Sequence, residues 1–426
     1  MEAKKYIKRD VLEEIKPWLG KEKILILKGA RQVGKTTILN HLKMELEKAQ
    51  KKVIYYAVDL EINNPFWQEP KLFIKFVKEQ FADQYIYIIL DEFQYIKQSG
   101  LFLKVVFDQL KEQVQLIVSG SSSLEITKNT EYLTGRKIAF AINPFSFKEY
   151  IRAKSELKLD HLFTLHQYPE LEEFNQIYKS PMKSMLTDYL LYGGYPEVIL
   201  ENNFGAKNII IKELINTYIQ KDISGFLKIE NTSAFNNLIR LLVSQNGNMV
   251  NKLELSNSLN LSYETLNKYL DILVGTYVFN LVRPFYTNVR KEISKMPKIY
   301  LNDLSLKKVL LKEDDQLEYD FAQGSVIENF AFLELRQKFA LEDIYFYRTV
   351  SKSEIDWVVQ DQQQFILLEV KFTNKPPSEK LVQFTNFATQ YPQVKLKIIL
   401  TKDVLSFNPK NNIYFIPVYL LPFINL

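Results

Sequence analysis

The stretch that decides the fold runs from Gly29 to Thr36 and reads Gly-Ala-Arg-Gln-Val-Gly-Lys-Thr. It fits the pattern G-x-x-x-x-G-K-[ST] at every position, in a chain where glycine is scarce, with 13 in 426 residues. In this pattern the glycines let successive backbone N–H groups point into one concavity that holds phosphates. An apolar run, Lys23–Lys28, precedes the motif and a helical pattern, Thr36–Lys48, follows it. The alternative, an ordinary Gly-Lys turn, is disfavoured by this strand–loop–helix context.

Each residue type in this motif has its own role in binding a nucleotide. Lys35 places a point charge at the β- and γ-phosphates. Thr36 offers a hydroxyl to Mg²⁺, and the start of the helix contributes its dipole. The motif therefore predicts ATP and Mg²⁺ as cofactors. The residues predicted to bind the nucleotide are Gly29, Ala30, Arg31, Gln32, Val33, Gly34, Lys35, Thr36 and Thr37.

A second motif is the apolar run Tyr85–Leu90 followed by Asp91 and Glu92. This is the Walker B arrangement, a buried strand that ends in two carboxylates. We expect Asp91 to hold Mg²⁺ through water, and Glu92 to polarise the attacking water as general base. The alternative is an acidic pair at a strand end, which is common on protein surfaces.

Two shorter motifs follow. The run Val114–Val118 leads into five residues of a Ser/Gly loop, Ser119 to Ser123, where the Ser119 hydroxyl could sense the γ-phosphate. The alternative is a loop that exists only for its turn chemistry. Leu133-Thr134-Gly135-Arg136 presents Arg136 as a candidate arginine finger that reaches a neighbouring subunit's nucleotide. The alternative is a plain surface arginine.

Apolar runs and helical stretches alternate over the first 150 residues, which predicts an α/β fold with a parallel sheet. The candidate strands are Lys23–Lys28, Val53–Val58, Tyr85–Leu90, Val114–Ser119 and Lys137–Ile142. Three helices and a hairpin then predict a winged helix-turn-helix. We predict a P-loop core at residues 1–150, a helical lid at 151–230, the winged helix at 231–305 and a further α/β domain at 321–426. The acidic run Glu313–Asp320 is the predicted linker.

These motifs, in this order, resemble an AAA+ ATPase. More narrowly, the chain resembles a family of bacterial and archaeal ATPases with a P-loop core and a C-terminal domain of unknown function. The segments that carry the resemblance are Gly29–Thr37, Leu90–Gln94, Ser119–Ser121, Leu133–Arg136, Pro144–Tyr150, Gly193–Glu197, Lys298–Asp303 and Glu354–Lys371. The resemblance implies a ring-shaped homo-oligomer, typically a hexamer, with nucleotide between subunits.

The last block carries its own set of charged residues. Glu328 lies on a predicted helix, Asp356 on a predicted strand, and Glu369 and Lys371 on the next strand, where residues two apart share a face. This set is similar to the PD-(D/E)xK nuclease superfamily, which includes archaeal Holliday-junction resolvases. That resemblance implies Mg²⁺ on Asp356 and Glu369, with Lys371 orienting water and Glu328 assisting. The alternative is a charge pair on a solvated strand face.

The predicted wing is strongly basic. It carries five basic residues and one acid, Glu292, which gives a local charge of +4. Basic side chains on a wing suit contacts with DNA phosphates. The predicted DNA-binding residues are Arg283, Arg290, Lys291, Lys295 and Lys298. The third helix has few side chains that read bases, so we expect binding directed by DNA shape. The alternative is a winged helix used for packing between subunits.

Composition excludes several other classes. Cysteine is absent and only three histidines occur, so disulfides, thiolate metal sites and cysteine nucleophiles are excluded. The net charge is +5, and the start of the chain has no apolar signal segment. We expect a cytoplasmic ATPase, independent of membranes, that remodels branched or forked DNA. The alternatives are an ATP-switched signalling scaffold and a defence nuclease gated by ATP.

Overall fold

We analysed a computed structural model of the protein, which describes residues 6–82, 84–121, 133–157, 159–165, 167–217, 229–312, 319, 322–349, 351, 353–374 and 381–426. Ser122, Ser123 and most of the predicted linker Glu313–Asp320 lie outside these residues. The chain forms two compact units. Unit one comprises Met1–Phe145 with Asp271–Val278, and unit two comprises Ser146–Leu270 with Phe279–Leu426.

Unit one is built on a five-stranded, all-parallel sheet. Its strands are β1 (Ile24–Lys28), β2 (Lys52–Ala57), β3 (Ile86–Asp91), β4 (Val114–Gly120) and β5 (Lys137–Ala141), in the order β2-β3-β4-β1-β5. The central strands β3 and β4 are buried at every residue, as expected of a parallel sheet that is covered on both faces. The predicted α/β fold and its strands are therefore confirmed.

The helices of unit one follow the predicted pattern. They are α1 (Val11–Ile15), α2 (Lys35–Lys48), α3 (Pro65–Gln68), α4 (Pro70–Gln80) and α5 (Ser99–Leu110). Short 3₁₀ turns lie at Lys16–Trp18, Val58–Leu60 and Phe93–Tyr95. Because β1 ends at Lys28 and α2 begins at Lys35, the Gly-rich motif is the loop that joins a buried strand to a helix.

Unit two begins with helices. They are α6 (Phe147–Lys154), α7 (Tyr168–Tyr192), α8 (Pro196–Leu200), α9 (Phe204–Ile215), α10 (Thr232–Ser244), α11 (Lys252–Ser258) and α12 (Tyr263–Gly275), whose last residues belong to unit one. Helix α6 starts with a capping box, in which Ser146 and Glu149 each accept a hydrogen bond from the other's backbone N–H. The order α10, α11, α12 and then a hairpin matches the predicted order, and the winged-helix assignment stays a prediction.

Unit two also contains an eight-stranded mixed sheet. Its strands are β6 (Phe279–Pro284), β7 (Lys298–Leu301), β8 (Ile344–Arg348), β9 (Glu354–Asp361), β10 (Gln364–Lys371), β11 (Val394–Thr401), β12 (Ser406–Asn408) and β13 (Ile413–Pro417). The order is β12-β13-β11-β10-β9-β8-β6-β7. Strand β6 pairs with β7 as a hairpin and with β8 in parallel. The hairpin predicted as a wing and the last block therefore share one sheet, although the sequence predicts separate domains.

Further helices complete unit two. They are α13 (Val289–Ser294), α14 (Ser305–Leu311), α15 (Gly324–Arg336) and α16 (Leu381–Gln390), with 3₁₀ turns at Leu341–Asp343 and Val418–Phe423. Helix α13 lies within the β6–β7 connection, where the sequence predicts the basic wing. Among the residues that the structure describes, no helix combines the length and the apolar character needed to cross a membrane.

Two of the segments that carry the family resemblance meet in unit two. Gly193 follows the end of α7 with φ 73° and ψ −163°, a region of backbone conformation that only glycine enters readily. The next backbone N–H, of Gly194, donates to Asp303 Oδ2 at 2.7 Å. Burial raises the pKa of Asp303 to about 6, against the hydrogen bonds from Ser305 and Gly194 that lower it. This turn therefore needs glycine for both its conformation and its space.

We expect Gly193→Ala to lower the free energy of unfolding of the protein by about 2 to 4 kcal/mol. A Cβ at this position would come within 2.1 Å of Asp303 Oδ1, in addition to the backbone strain. Gly324→Ala is the matched control, because a Cβ there meets nothing within 4 Å. Denaturant unfolding of both variants measures the difference. A Gly193→Ala protein as stable as Gly324→Ala would contradict the role given to this turn.

Candidate functional site

The Gly-rich loop is shaped by two glycine positions. Gly34, the residue before α2, has φ 96° and ψ 22°, which is left-handed backbone that favours glycine. Gly29 lies so close to the residue after β5 that a Cβ would come within 2.1 Å of the Ile142 carbonyl oxygen. Both glycines of the motif are therefore required by the backbone itself, and the loop packs closely against the neighbouring strand.

Lys35 is turned onto its own loop. Its side chain is buried, and Nζ donates to the carbonyl oxygens of Gly29 at 3.1 Å and Ala30 at 2.8 Å. Burial lowers the pKa of Lys35 to about 8, against the carboxylates of Glu92 and Asp91, which raise it. The ammonium therefore lies over the concavity of the loop, where it can exchange two carbonyl acceptors for phosphate oxygens.

Arg9 supports this loop from the N-terminal segment. Its guanidinium is buried and donates to the carbonyl oxygens of Val33 at 2.8 Å and Asn143 at 2.7 Å. It also lies over the ring of Phe145, 4.6 Å from the centroid. Arg9 thus ties the loop to the segment after β5. The sequence contains no motif around Arg9 from which this role could be predicted.

Asp91 is the centre of a hydrogen-bond network at the end of β3. Its Oδ2 accepts from Thr36 Oγ1 at 2.6 Å and from the Tyr55 hydroxyl at 2.8 Å. Its Oδ1 accepts from the hydroxyl of Ser119, which is fully buried. Burial, and then the Asp91 carboxylate, raises the pKa of Tyr55 well above its ordinary value. Tyr55 is a contact that sequence reasoning missed, since it comes from the neighbouring strand β2.

The carboxylate of Glu92 has hydrogen-bond partners that differ from those of the Asp91 carboxylate. Its backbone is left-handed, with φ 55°. Its carboxylate oxygen Oε2 accepts from the Gln94 amide and from Ser121 Oγ, the latter at 3.3 Å. The Gln94 amide also donates to Ser121 Oγ at 3.1 Å. The Glu92 backbone N–H donates to Ser119 Oγ at 3.2 Å, so both serines lie beside Glu92, and Ser121 is the one whose hydroxyl contacts its carboxylate.

The placement of Ser119 differs from its predicted role. A fully buried hydroxyl that donates to Asp91 orients the carboxylate expected to bind the metal, and it is not exposed toward a γ-phosphate. Side chains alternate along a strand, so Ser119, within β4, and Ser121, the first residue after β4, project to the same side. The role of the Ser/Gly loop stays a prediction, and Ser121 is the residue whose hydroxyl contacts the carboxylate of the catalytic candidate Glu92.

The donor set fits Mg²⁺ bound together with a nucleotide. Thr36 is exposed, and its hydroxyl shares a hydrogen bond with Asp91. A P-loop site needs only a hydroxyl and a carboxylate from the protein, because phosphates and waters supply the other oxygens. Within the described ranges, no three acidic or histidine residues group into a site that would hold a metal without such help.

Arg136 forms a bidentate ion pair with Asp108 of the same chain. Its Nε and one terminal nitrogen donate to the Asp108 carboxylate at 2.7 and 3.3 Å. Arg136 precedes β5, and Asp108 lies on α5. The arginine-finger assignment stays a prediction, and it now requires the guanidinium to leave Asp108.

The structure brings the residues of the nuclease resemblance together in unit two, and Lys298 joins them. These residues are Glu328, Asp356, Glu369 and Lys371. Asp356 and Glu369 lie on the paired strands β9 and β10, and Lys371 Nζ contacts Glu369 Oε1 at 2.8 Å. Glu328 on α15 contacts Lys298 Nζ at 3.2 Å. Burial, then Glu369 and Glu328, raise the pKa of Asp356 to about 8, whereas Lys298 lowers it.

The basic wing is only partly as predicted. Arg290, Lys291 and Lys295 are exposed, and Arg283 is exposed and paired with Glu292 at 3.4 Å. Lys298, in contrast, has a side chain only 5% exposed and lies among carboxylates. The prediction that Lys298 contacts DNA phosphates is therefore wrong, because its ammonium is buried at the start of β7. The run Ile299-Tyr300-Leu301 after it was the signal for a buried strand.

Family models match three successive parts of the chain. Residues 21–151 match a family described as AAA domain. Residues 183–317 and 323–421 match families described as Domain of unknown function (DUF8612) and Domain of unknown function (DUF4143). The third match lies within unit two, and so does the second, apart from Asp271–Val278, which belongs to unit one.

Several uncharacterized proteins are similar over most of this length. One from Methanocaldococcus jannaschii is 23% identical over 427 residues, covering 94% of this chain and 86% of that protein. One from Haemophilus influenzae is 20% identical over 361 residues, covering 82% of each. Both alignments therefore extend over most of this chain and most of the relative.

Among solved structures, the replication initiator DnaA bound to AMPPCP and single-stranded DNA has a TM-score of 0.33 and 13% identity, covering 63% of this chain and 90% of that one. AMPPCP-bound DnaA from Aquifex aeolicus has a TM-score of 0.30 and 14% identity, covering 63% and 89%. Scores this low carry no argument about function. The match of residues 21–151 to the AAA domain family, together with the parallel sheet and the P-loop, supports an AAA-type ATPase fold for unit one.

Proposed function

We propose that this chain is a Mg²⁺-dependent ATPase that couples ATP hydrolysis to the binding of branched or forked DNA. One observation carries the hydrolytic part. Lys35, Thr36, Asp91 and Glu92 lie at one edge of the parallel sheet, with Thr36 Oγ1 2.6 Å from Asp91 Oδ2. Carboxyl ends of parallel strands are where α/β proteins bind nucleotides.

Each residue of this edge has a defined task in the proposed reaction. The loop N–H groups and Lys35 bind the phosphates, and Thr36 and Asp91 would hold Mg²⁺, which offsets the negative charge of the phosphates when bound. Glu92 accepts the proton of the attacking water. Ser121 and Gln94 hold the Glu92 carboxylate in a fixed direction through the hydrogen bonds to its Oε2.

The exposed part of the basic wing supports the DNA part of the proposal. Arg290, Lys291 and Lys295 lie on or beside the short helix α13, without burial that would keep them from phosphates. The preceding helix α12 offers little for reading bases, because its Asn267 already accepts from Lys252 Nζ at 2.7 Å. With exposed basic residues on the wing and few base-reading side chains on α12, we expect selectivity for DNA shape over DNA sequence.

Reversing three wing charges tests the DNA part directly. We expect Arg290→Glu, Lys291→Glu and Lys295→Glu together to weaken DNA binding at least ~10-fold for all sequences, and to reduce the salt slope by about 2 to 3. Fluorescence anisotropy with a fork, a four-way junction and a plain duplex measures affinity. ATPase rates with and without each DNA measure the coupling.

The matched control reverses Lys71, Lys75 and Lys78, three exposed lysines of α4 in unit one. It changes the net charge by the same amount, so a loss of DNA affinity in the wing variant alone would locate the DNA contact at the wing. If micromolar wild-type protein binds none of the three DNAs and none stimulates ATP turnover, the scaffold alternative replaces the DNA proposal.

The proposal includes a homo-oligomer, a hexamer by the family resemblance, with Arg136 reaching a neighbouring nucleotide. Arg136 supports it because the residue is exposed in part and its partner, Asp108, is a surface carboxylate. Although this pair is bidentate, it is partly exposed, and solvent screens it, so a phosphate of higher charge can compete with Asp108 for the guanidinium. Light scattering of the same preparations with a non-hydrolysable ATP analogue tests the assembly.

A further inference from the structure

Unit two contains a partly buried group of charges that the proposed ATPase does not use. We call it the carboxylate cluster, and it comprises Glu328 on α15, Glu354 and Asp356 on β9, and Glu369 on β10. The nuclease resemblance assigns Mg²⁺ to two of these side chains. The hairpin strand β7 brings Lys298 into the same group.

Lys298 has the position that a cation would need in this cluster. Its Nζ lies 3.2 Å from Glu328 Oε1, 2.5 Å from Glu354 Oε1 and 4.0 Å from Asp356 Oδ1. The lysine side chain is 5% exposed. A buried ammonium is stable only when carboxylates surround it closely. Three carboxylates from two different elements converge on this one ammonium, as metal ligands converge on an ion.

The carboxylate oxygens of Asp356 and Glu369 that do not face Lys298 are engaged by other donors of the protein. Asp356 Oδ2 accepts from the Val370 backbone N–H at 2.8 Å, and Glu369 Oε2 accepts from the Asp356 backbone N–H at 3.1 Å. Glu369 Oε1 contacts Lys371 Nζ at 2.8 Å. These bonds continue the pairing of β9 and β10 beyond the last residues of their ladder. They give the two carboxylates a part in holding the strands together.

Glu328 and Glu354 are held in the same way. Glu328 Oε1 also accepts from the Tyr300 hydroxyl at 2.7 Å, and Tyr300 lies on the same strand as Lys298. Glu354 has a second cation, since the Arg348 guanidinium lies 3.6 Å from its Oε2. The hairpin thus supplies both a cation and a hydroxyl to carboxylates of α15 and β9.

We propose that the Lys298 ammonium replaces a divalent cation in the carboxylate cluster, so that the cluster binds a side chain of the hairpin and not Mg²⁺. The cluster then joins β7 to α15, β9 and β10, and unit two does not cleave nucleic acid at these residues. The inference concerns unit two alone, and it stands whether or not the chain binds DNA or hydrolyses ATP.

Counting bound Mn²⁺ by electron paramagnetic resonance, without nucleotide or DNA, tests the proposal. We expect the wild-type protein and Asp356→Asn to bind the same amount of Mn²⁺. We expect Lys298→Met to gain about one equivalent per chain, because an unbalanced carboxylate cluster binds hard cations. Asp356→Asn combined with Lys298→Met removes that gain. Lys291→Met is the control, because Lys291 is an exposed lysine of the β6–β7 connection, and we expect this variant to gain no Mn²⁺.

Two results overturn the proposal. One is a Mn²⁺ equivalent in the wild-type protein that Asp356→Asn removes. The other is a folded Lys298→Met protein, by circular dichroism, that binds no more Mn²⁺ than the wild type. If Lys298→Met does not fold, the comparison of wild type with Asp356→Asn still decides, because it leaves the lysine in place. A DNA cleavage assay with Mn²⁺ on the wild type gives a second reading, and we expect no cleavage that depends on Asp356.

Discussion

Glu92→Gln binds ATP with the affinity of the wild-type protein and hydrolyses it at least ~100-fold more slowly. The substitution keeps the size of the side chain and removes the carboxylate that accepts the proton of the attacking water. It leaves Lys35, Thr36 and Asp91 unchanged, so phosphate binding persists. Titration with a fluorescent ATP analogue measures affinity, and phosphate release under saturating ATP measures turnover.

Glu79→Gln is the matched control for this prediction. Glu79 is an exposed glutamate of the same unit, at the end of α4, in a surface pair with Lys75. Such a pair contributes little, so we expect wild-type turnover. Wild-type turnover by Glu92→Gln would instead remove Glu92 from the role of general base and leave Ser121 and Gln94 without a catalytic partner.

The sheet and the loop of unit one could be predicted because their signals are local. A buried parallel strand is a continuous apolar run, and the phosphate loop is eight successive residues. The predicted strand from Tyr85 to Leu90 differs from β3 by one residue at each end. Likewise, the pairing of Glu369 with Lys371 follows from the alternation of side chains along one strand.

The contacts that complete the site were not predictable in the same way, because each joins residues far apart in the chain. Arg9 contacts Val33, 24 residues away, and Tyr55 contacts Asp91, 36 residues away. No periodicity within one element identifies such a partner. The order of the strands in the sheet decides the second contact, since β2 lies beside β3 and thereby brings Tyr55 to the Asp91 carboxylate.

Lys298 shows how a composition argument fails at one residue. Its basic neighbours in sequence, Lys291 and Lys295, are exposed, and charge counting groups the three together. Side-chain environment is instead decided by the strand that begins at Lys298, where all four residues are buried. The same position therefore changes from a predicted phosphate contact to the centre of the carboxylate cluster.

Lys35→Ala lowers the affinity for ATP by about 100-fold, since a charge-assisted contact with the phosphates is lost. Among the residues that the structure describes, the hydrogen-bond acceptors of the buried Lys35 ammonium are the carbonyl oxygens of Gly29 and Ala30. Phosphate oxygens are stronger acceptors for it. Lys48→Ala, at the exposed end of the same helix, is the control and keeps wild-type affinity.

The pH dependence of binding separates the charge of Lys35 from its size. Its pKa is lowered by burial to about 8, and phosphate oxygens favour the charged form, so ATP binding raises that pKa. Above pH 8 the free protein has lost the proton that the complex holds, and affinity must fall with rising pH, by at most about tenfold per pH unit. Below pH 8 the lysine is already charged, so its contribution to the affinity is constant.

Lys35→Ala is the control for this pH dependence. It lacks the titrating ammonium, so we expect its weak affinity for ATP to stay constant through this pH range. An equally steep fall of affinity in Lys35→Ala would assign the titration to another group. Calorimetry at pH 7 to 9.5 in buffers of different ionisation enthalpy measures both the affinity and the proton taken up.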